Sequence, residues 1–321
     1  MNSIDLQFTP FLMPIIGAGI VLTILAAYAW RQSKTAPGTD VFIVLLGLSA
    51  WWCFTYAFEL ITTNPSTMLF WVKLEWISIA LLPVAWLLFA LTYAGYARWV
   101  TLPIITLLSM IPAIMIILAW TTPAHTLIYA DPGVRTVDDL VYFSATRGPA
   151  YIFHVTYSYL LVLLATFLII RVWWRSTGVQ RRLALVVVIG ALLPILSNVI
   201  YQIGLATGRP INVDLTVPAF AFSAVLFAWG WFRLHWFELV PELGRPISTS
   251  GRIDPAAAAL STQTRSLNLV SLAMSLLFFL ALAPIFTLLL RSGPAQRPLM
   301  AAYILLYLLL LAVTIRRDDR Y

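Results

Sequence analysis

Apolar stretches long enough to cross a bilayer follow one another along almost the whole chain, and the residues between them are too few to build a soluble catalytic domain. A helix rises about 1.5 Å per residue, so a hydrocarbon layer of about 30 Å takes roughly 20 mainly apolar residues. Nine such runs are present, near residues 9–30, 40–62, 69–97, 101–121, 149–174, 180–206, 213–233, 266–290 and 298–315. Backbone amides left unpaired in lipid are costly, and unbroken apolar runs lack the alternation of a membrane β-barrel. The expected fold is therefore all-α, a polytopic membrane helix bundle. Lipid as solvent also explains 61% hydrophobic against 10% charged residues, a balance far from that of soluble domains.

Lys and Arg flanks tend to stay cytoplasmic. With the N-terminus outside and the C-terminus inside, the inner flanks hold Arg31, Lys34, Arg98, Arg171, Arg175, Arg181, Arg182, Arg233, Arg245, Arg252, Arg265, Arg316, Arg317 and Arg320. The outer side holds Lys73, Arg135, Arg147, Arg209, Arg291 and Arg297, and fourteen against six supports nine spans in a cell inner (plasma) membrane. The net charge of +7 is dispersed over helix ends, so the continuous basic patch that a nucleic acid requires is not expected. The first run has no basic segment before it and reads as a retained helix rather than a signal peptide. Cys53 stands alone in a span, which excludes disulfide frameworks and cysteine metal clusters.

Two connections are long. Residues 122–148 form an outer loop with Asp131, Pro132, Gly133, Asp138 and Asp139, in which Leu140 to Phe143 either pair as a short strand or lie over the bundle. Residues 234–265 form an inner segment that starts with the interfacial run Leu234 to Pro241, and Asp254-Pro255 before four alanines reads as the start of a short helix. The chain thus divides into a seven-helix region over residues 1–245, a linker over 246–265 and a two-helix transmembrane extension over 266–321. Pro14, Pro83, Pro112, Pro194, Pro218 and Pro284 fall inside spans, where each removes a backbone hydrogen bond.

The run Leu74-Glu75-Trp76-Ile77-Ser78-Ile79-Ala80-Leu81-Leu82-Pro83, followed by Trp86 and Phe89, resembles the third helix of the seven-transmembrane region found at the N-terminus of certain bacterial histidine kinases. Other pieces agree in order: Ile111-Pro112, Thr122-Pro123 with His125, Gly148-Pro149 with His154, Tyr157 and Tyr159, Leu193-Pro194 with Asn198, Asp214 to Pro218, and Phe237 to Pro241. The resemblance spans roughly residues 10–245. It implies a sensor module that passes a signal across the membrane, usually into a cytoplasmic PAS, kinase or cyclase domain. After Pro241 the sequence shows no phosphoacceptor box, asparagine-rich nucleotide box or glycine-rich ATP lid, and His235 lacks a following Glu. Kinase activity is accordingly not expected, and the output is expected to lie in a partner.

Ionisable side chains inside spans normally face a bundle interior, a partner or water. Here they gather at one depth: Glu59, Lys73, Glu75, His154, Asn198, Gln202 and Asp214 all fall in the expected outer half. Residues three, four and seven apart share a helix face, which groups Trp52, Thr55, Tyr56 and Glu59; Trp71, Glu75 and Ser78; Tyr151, His154 and Ser158; and Asn198, Tyr201 and Gln202. Lys73 is turned about 200° from Glu75 and should pair with another helix or snorkel. One reading brings the stripes to an outward-open pocket, with Glu59, Glu75, His154, Asn198, Asp214 and Gln202 as polar contacts and Trp52, Trp71, Tyr151 and Tyr201 as walls. The other makes them an interhelical hydrogen-bond network with interfacial aromatic anchors.

The receptor reading takes a small-molecule ligand from the outer side, a cationic or hydrogen-bonding one or a proton at His154, and a cytoplasmic or membrane signalling partner. A homodimer is compatible with it. A transporter or a structural membrane subunit is the alternative, though the inner half of the spans is almost wholly apolar and no internal repeat is evident. No intramembrane protease or di-iron motif is present, so no enzyme is expected. Neither retinal nor haem fits the available Lys and His, so no cofactor is expected either.

Overall fold

The computed structural model describes residues 6–32, 39–207 and 213–233. Its helices are α1 (Leu12–Gln32), α2 (Thr39–Ile61), α3 (Pro65–Tyr93), α4 (Leu102–Trp120), α5 (Pro149–Arg175), α6 (Gly178–Ala206) and α7 (Thr216–Arg233). Six of them are long and apolar enough to cross a membrane, and α7 carries a shorter apolar stretch, Thr216–Phe227. The expected inner segment from residue 234, its linker helix and the runs at 266–290 and 298–315 lie outside the described residues. The third helix starts four residues before the expected run because Asn64 caps it. Its side-chain oxygen accepts from the amides of Ser66 (3.0 Å) and Thr67 (3.2 Å), with Pro65 in the first turn.

The contacts between helices close a ring. α1 packs on α2, α2 on α3, α3 on α5, α5 on α6, α6 on α7, and α7 back on α1, while α4 lies outside the ring against α3 and α5. α4 accordingly exposes a full apolar face, Leu107, Met110, Ile114 and Ile117, at helical spacing for lipid. Aromatic residues mark both ends of the ring. Phe58, Phe70, Trp71 and Trp120 stack at one end, and Trp30, Trp99 and Trp174 stand exposed at the other beside Arg31, Arg98, Arg171 and Arg175. Such belts sit where an apolar ring with a polar edge is best solvated, at the two bilayer interfaces.

The all-α expectation needs one amendment. Residues 129–147 form an antiparallel hairpin of β1 (Tyr129–Val137) and β2 (Leu140–Arg147), so the long loop is folded through most of its length. The turn residues Asp138 and Asp139 both have positive φ, 50° and 64°, the backbone that a two-residue turn needs to match strand twist. Asp131, also at positive φ, sits at the irregularity in register between Ala130 and Gly133. Gln7 straps the hairpin to the bundle. Its side-chain amide donates to Leu60 O (2.8 Å) and Val141 O (2.7 Å) and accepts from the Val141 amide (2.8 Å). The chain then enters α5 through Gly148, where a Cβ would collide with the carbonyl oxygens of Thr126 and Leu127.

Three helices contain an internal proline, and each proline leaves the carbonyl four residues earlier without its usual donor. A neighbouring helix answers in two of the three cases. Tyr157 of α5 donates to Leu108 O, freed by Pro112, at 2.7 Å. Ser223 of α7 donates to Gly190 O, freed by Pro194, at 2.6 Å. At Pro83 no such donor is in place: His154 of α5 lies near the freed carbonyl of Ile79, but its Nδ1 makes no well-formed hydrogen bond. Gly190 also gives the Phe227 ring its place, since a Cβ there would lie 2.7 Å from the ring edge.

Candidate functional site

Inside the ring lies a cavity of about 170 Å³ to which all six ring helices contribute and α4 does not. Its depth follows from the helix positions. Toward the hairpin it is bordered by Trp52, Tyr151, His154, Asn198, Gln202 and Thr216, and farther in by Leu45, Leu82, Trp86, Gly190 and Phe227. Every site residue follows from helical spacing: Tyr151, His154 and Ser158 on α5 come round to the same face, as do Asn198 and Gln202 on α6.

The polar rim pairs across helices. Tyr159 donates to Asn198 Oδ1 (2.8 Å), and Asn198 Nδ2 donates to Thr216 Oγ1 (3.1 Å), joining α5, α6 and the start of α7. Gln202 Nε2 donates to the Tyr151 hydroxyl at 3.0 Å. His154 is 3% exposed; its Nε2 shares a proton with Ser158 Oγ at 3.2 Å, and Nδ1 has no well-formed hydrogen bond. The imidazole is tilted against Trp76 with ring centroids 5.1 Å apart.

A second layer of polar groups lies nearer the hairpin. Glu59 of α2 and Glu75 of α3, both buried, hydrogen bond to each other, a contact that needs a proton between the two carboxyl groups. Glu75 also accepts from the Trp52 indole, so the ring that walls the cavity separates it from the acid pair. Asp214 caps α7, its Oδ1 accepting from the Thr216 amide at 2.8 Å, while its own amide donates to the Tyr56 hydroxyl at 2.8 Å. The field of Arg147 acts on both Glu59 and Asp214.

Arg147 comes from the end of β2. Its guanidinium lies over the rings of Tyr129 (5.1 Å) and Tyr151 (5.3 Å), and Nη2 donates to the Tyr201 hydroxyl at 3.4 Å. Tyr129 in turn accepts from the indole of Trp76 at 3.1 Å, and burial holds its phenol above the ordinary range, so it stays neutral. Lys73 points the other way and donates to the carbonyl oxygens of Trp120 and Thr122 (Trp120 at 3.1 Å), closing the last turn of α4. His125 stays local, within 2.8 Å of Thr121 Oγ1.

The ten residues singled out in the sequence thus separate into three places. Trp52, Tyr151, His154, Asn198 and Gln202 border the cavity. Glu59, Glu75, Asp214 and Tyr201 belong to the layer beside it. Trp71 turns to the outer surface of the ring and stacks on the exposed Phe58 at 4.5 Å. Sequence reasoning passed over Trp76, fully buried where α3, α5 and the hairpin meet, and Arg147, which it placed only as a flanking charge. It also left out Trp86, Ser223 and Phe227, whose only signal was an apolar face at helical spacing on α3 and α7.

An apolar ring of helices with aromatic belts at both ends and polar side chains turned inward defines a multi-pass membrane protein. Residues 14–241 match the family described as the N-terminal 7TM region of histidine kinase, and the chain belongs to that family. It is accordingly a membrane sensor module in the context of histidine kinase signalling. No curated protein matches the chain.

Proposed function

We propose that the chain is a receptor whose six-helix cavity holds a small molecule and whose α7 carries the response to a separate signalling protein. The observation that carries this reading is the cavity itself: all six ring helices border it, so filling it bears on the packing of each. α7 is the suitable conveyor. It begins at the rim with Thr216, passes the cavity wall at Ser223 and Phe227, and continues toward the arginine-rich end. Ser223 fastens it to the carbonyl that Pro194 frees, so a shift of α6 at its proline moves α7 as well.

The charge distribution supports an orientation in which that end is cytoplasmic in the plasma membrane. Arg31, Arg98, Arg171, Arg175, Arg181 and Arg182 lie there, against Lys73, Arg135 and Arg147 at the hairpin end. The partner then contacts the cytoplasmic side, and the chain itself performs no chemistry.

Native mass spectrometry of the full chain released from its membrane tests the reading. A small molecule should leave with the unmodified protein and be absent from Ala191→Phe, which fills the cavity, at comparable melting temperatures. Equal occupancy in both, or none in either, would overturn it.

A further inference from the structure

Resting on that reading, we infer that the cavity selects an uncharged molecule about the size of one aromatic ring, with an apolar body and a hydrogen-bonding group turned to the hairpin end. Among the described residues, no Asp, Glu, Lys or Arg side chain lines it, although Glu59, Glu75 and Asp214 lie within about two turns of lining residues. The carboxyl group closest to it is screened and partly engaged, with Glu75 Oε1 left without a partner. Glu75 lies behind the Trp52 indole, whose N–H it accepts, and shares a proton with Glu59. Arg147 further offsets the charge at Glu59. An ion entering the cavity would lose its hydration and meet no opposite charge, which selects strongly for neutral ligands.

Size and polarity follow from the same walls. The volume of about 170 Å³ is close to that of an apolar protein cavity, on the order of 150 Å³, that admits one benzene molecule. The inner part is lined by Leu45, Leu82, Trp86 and Phe227, which offer an apolar body dispersion contacts and, as their one polar atom, the buried and unpartnered Trp86 indole nitrogen. The inner hydroxyls, Ser49 and Ser223, are spent on the carbonyl oxygens of Leu45 and Gly190, while the other hydroxyl, amide and imidazole groups gather in the other part, on Tyr151, His154, Ser158, Tyr159, Asn198, Gln202 and Thr216. A ligand with one alcohol, amide or carbonyl group is therefore held head toward the hairpin and ring toward Trp86.

Three ring compounds that differ in charge test this directly: benzyl alcohol, benzoate and benzylammonium, each titrated against the full chain in lipid nanodiscs by saturation-transfer NMR, with empty nanodiscs subtracted. The expected result is that benzyl alcohol binds at least tenfold more tightly than either ion, and that Ala191→Phe and Ile195→Trp, two independent fillings of the cavity, each remove its signal. A charged compound that binds as well as the alcohol and is lost on filling would overturn the ligand class while leaving the receptor reading in place. Binding of the alcohol that survives both fillings would overturn the assignment to this cavity. If none of the three binds while a molecule is still recovered with the unmodified protein, the ligand class falls alone; if nothing is recovered either, both readings fall.

Discussion

The cavity and the carboxyl layer are neighbours of opposite character. Both are built from α2, α3, α6 and α7 and lie about two helical turns apart along α2, from Trp52 to Glu59. The cavity is lined by hydroxyl, amide, imidazole and apolar groups around open space; the layer concentrates Glu59, Glu75, Asp214 and Arg147. The difference teaches that gathering costly polar groups at one depth does not by itself make a binding site. Where the charges meet each other they hold helices together, and the room for a ligand opens one layer further in, behind Trp52 and Trp76.

That contrast can be broken most forcefully at Trp76, which packs behind the cavity residues His154 and Tyr151 and bonds to Tyr129 of the hairpin. Trp76→Ala empties a fully buried site against His154, Tyr129 and Tyr151 and is expected to lower stability by about 3 to 5 kcal/mol. Denaturation of the chain in nanodiscs, followed by the near-ultraviolet circular dichroism of its aromatic residues, measures it. A loss under 1 kcal/mol would show that the two regions do not share this wall.

Arg147→Met comes next, since it leaves the carboxyl layer without its cation and the hairpin without its hold on Tyr201. The expected loss is about 2 to 3 kcal/mol, with hydrogen exchange rising across 129–147 but not around the inner cavity wall. Equal exchange at Leu45 or Phe227 would mean that layer and cavity open as one unit.

Ser223→Ala sharpens the description of the cavity wall. Leaving Gly190 O unsatisfied is expected to cost about 1 to 2 kcal/mol, and Pro194→Ala should largely cancel the loss by restoring a backbone donor. Additive effects in the double variant would refute the exchange of donors described for that carbonyl. The smallest change is expected from Glu75→Gln, below about 1 kcal/mol, because an amide supplies the donor that the shared proton supplies to Glu59. A much larger loss, read in the same unfolding assay, would require a full negative charge at position 75.

Much of this molecule was legible in its residues because lipid imposes simple rules. All seven described helices coincide with apolar runs to within a few residues, and the largest shift, at α3, arises where Asn64 rather than hydropathy decides the start. The faces of α5 and α6 were legible from three- and four-residue spacing. Trp71 shares that spacing with Glu75 yet turns outward, since one turn nearer the helix end its neighbour is Phe58 on the lipid side. The hairpin was obscured because its turn is Asp138-Asp139, without the glycine that usually announces such a reversal. Arg147 reaches the acids only once that hairpin forms, and Ser223 finds Gly190 across thirty-three positions, so neither link is visible to local periodicity.

The borrowed donors at Pro112 and Pro194 have a mechanical consequence. A helix whose ladder is complete can bend or turn without consulting its neighbours, but here two rungs are lent from outside. Straightening α6 at Pro194 strips Ser223 of its acceptor, and rotating α7 strips Gly190 of its donor, so the two helices behave as linked levers with one shared pivot. Motion in this bundle is thereby channelled into concerted steps of paired helices, from one set of borrowed bonds to another.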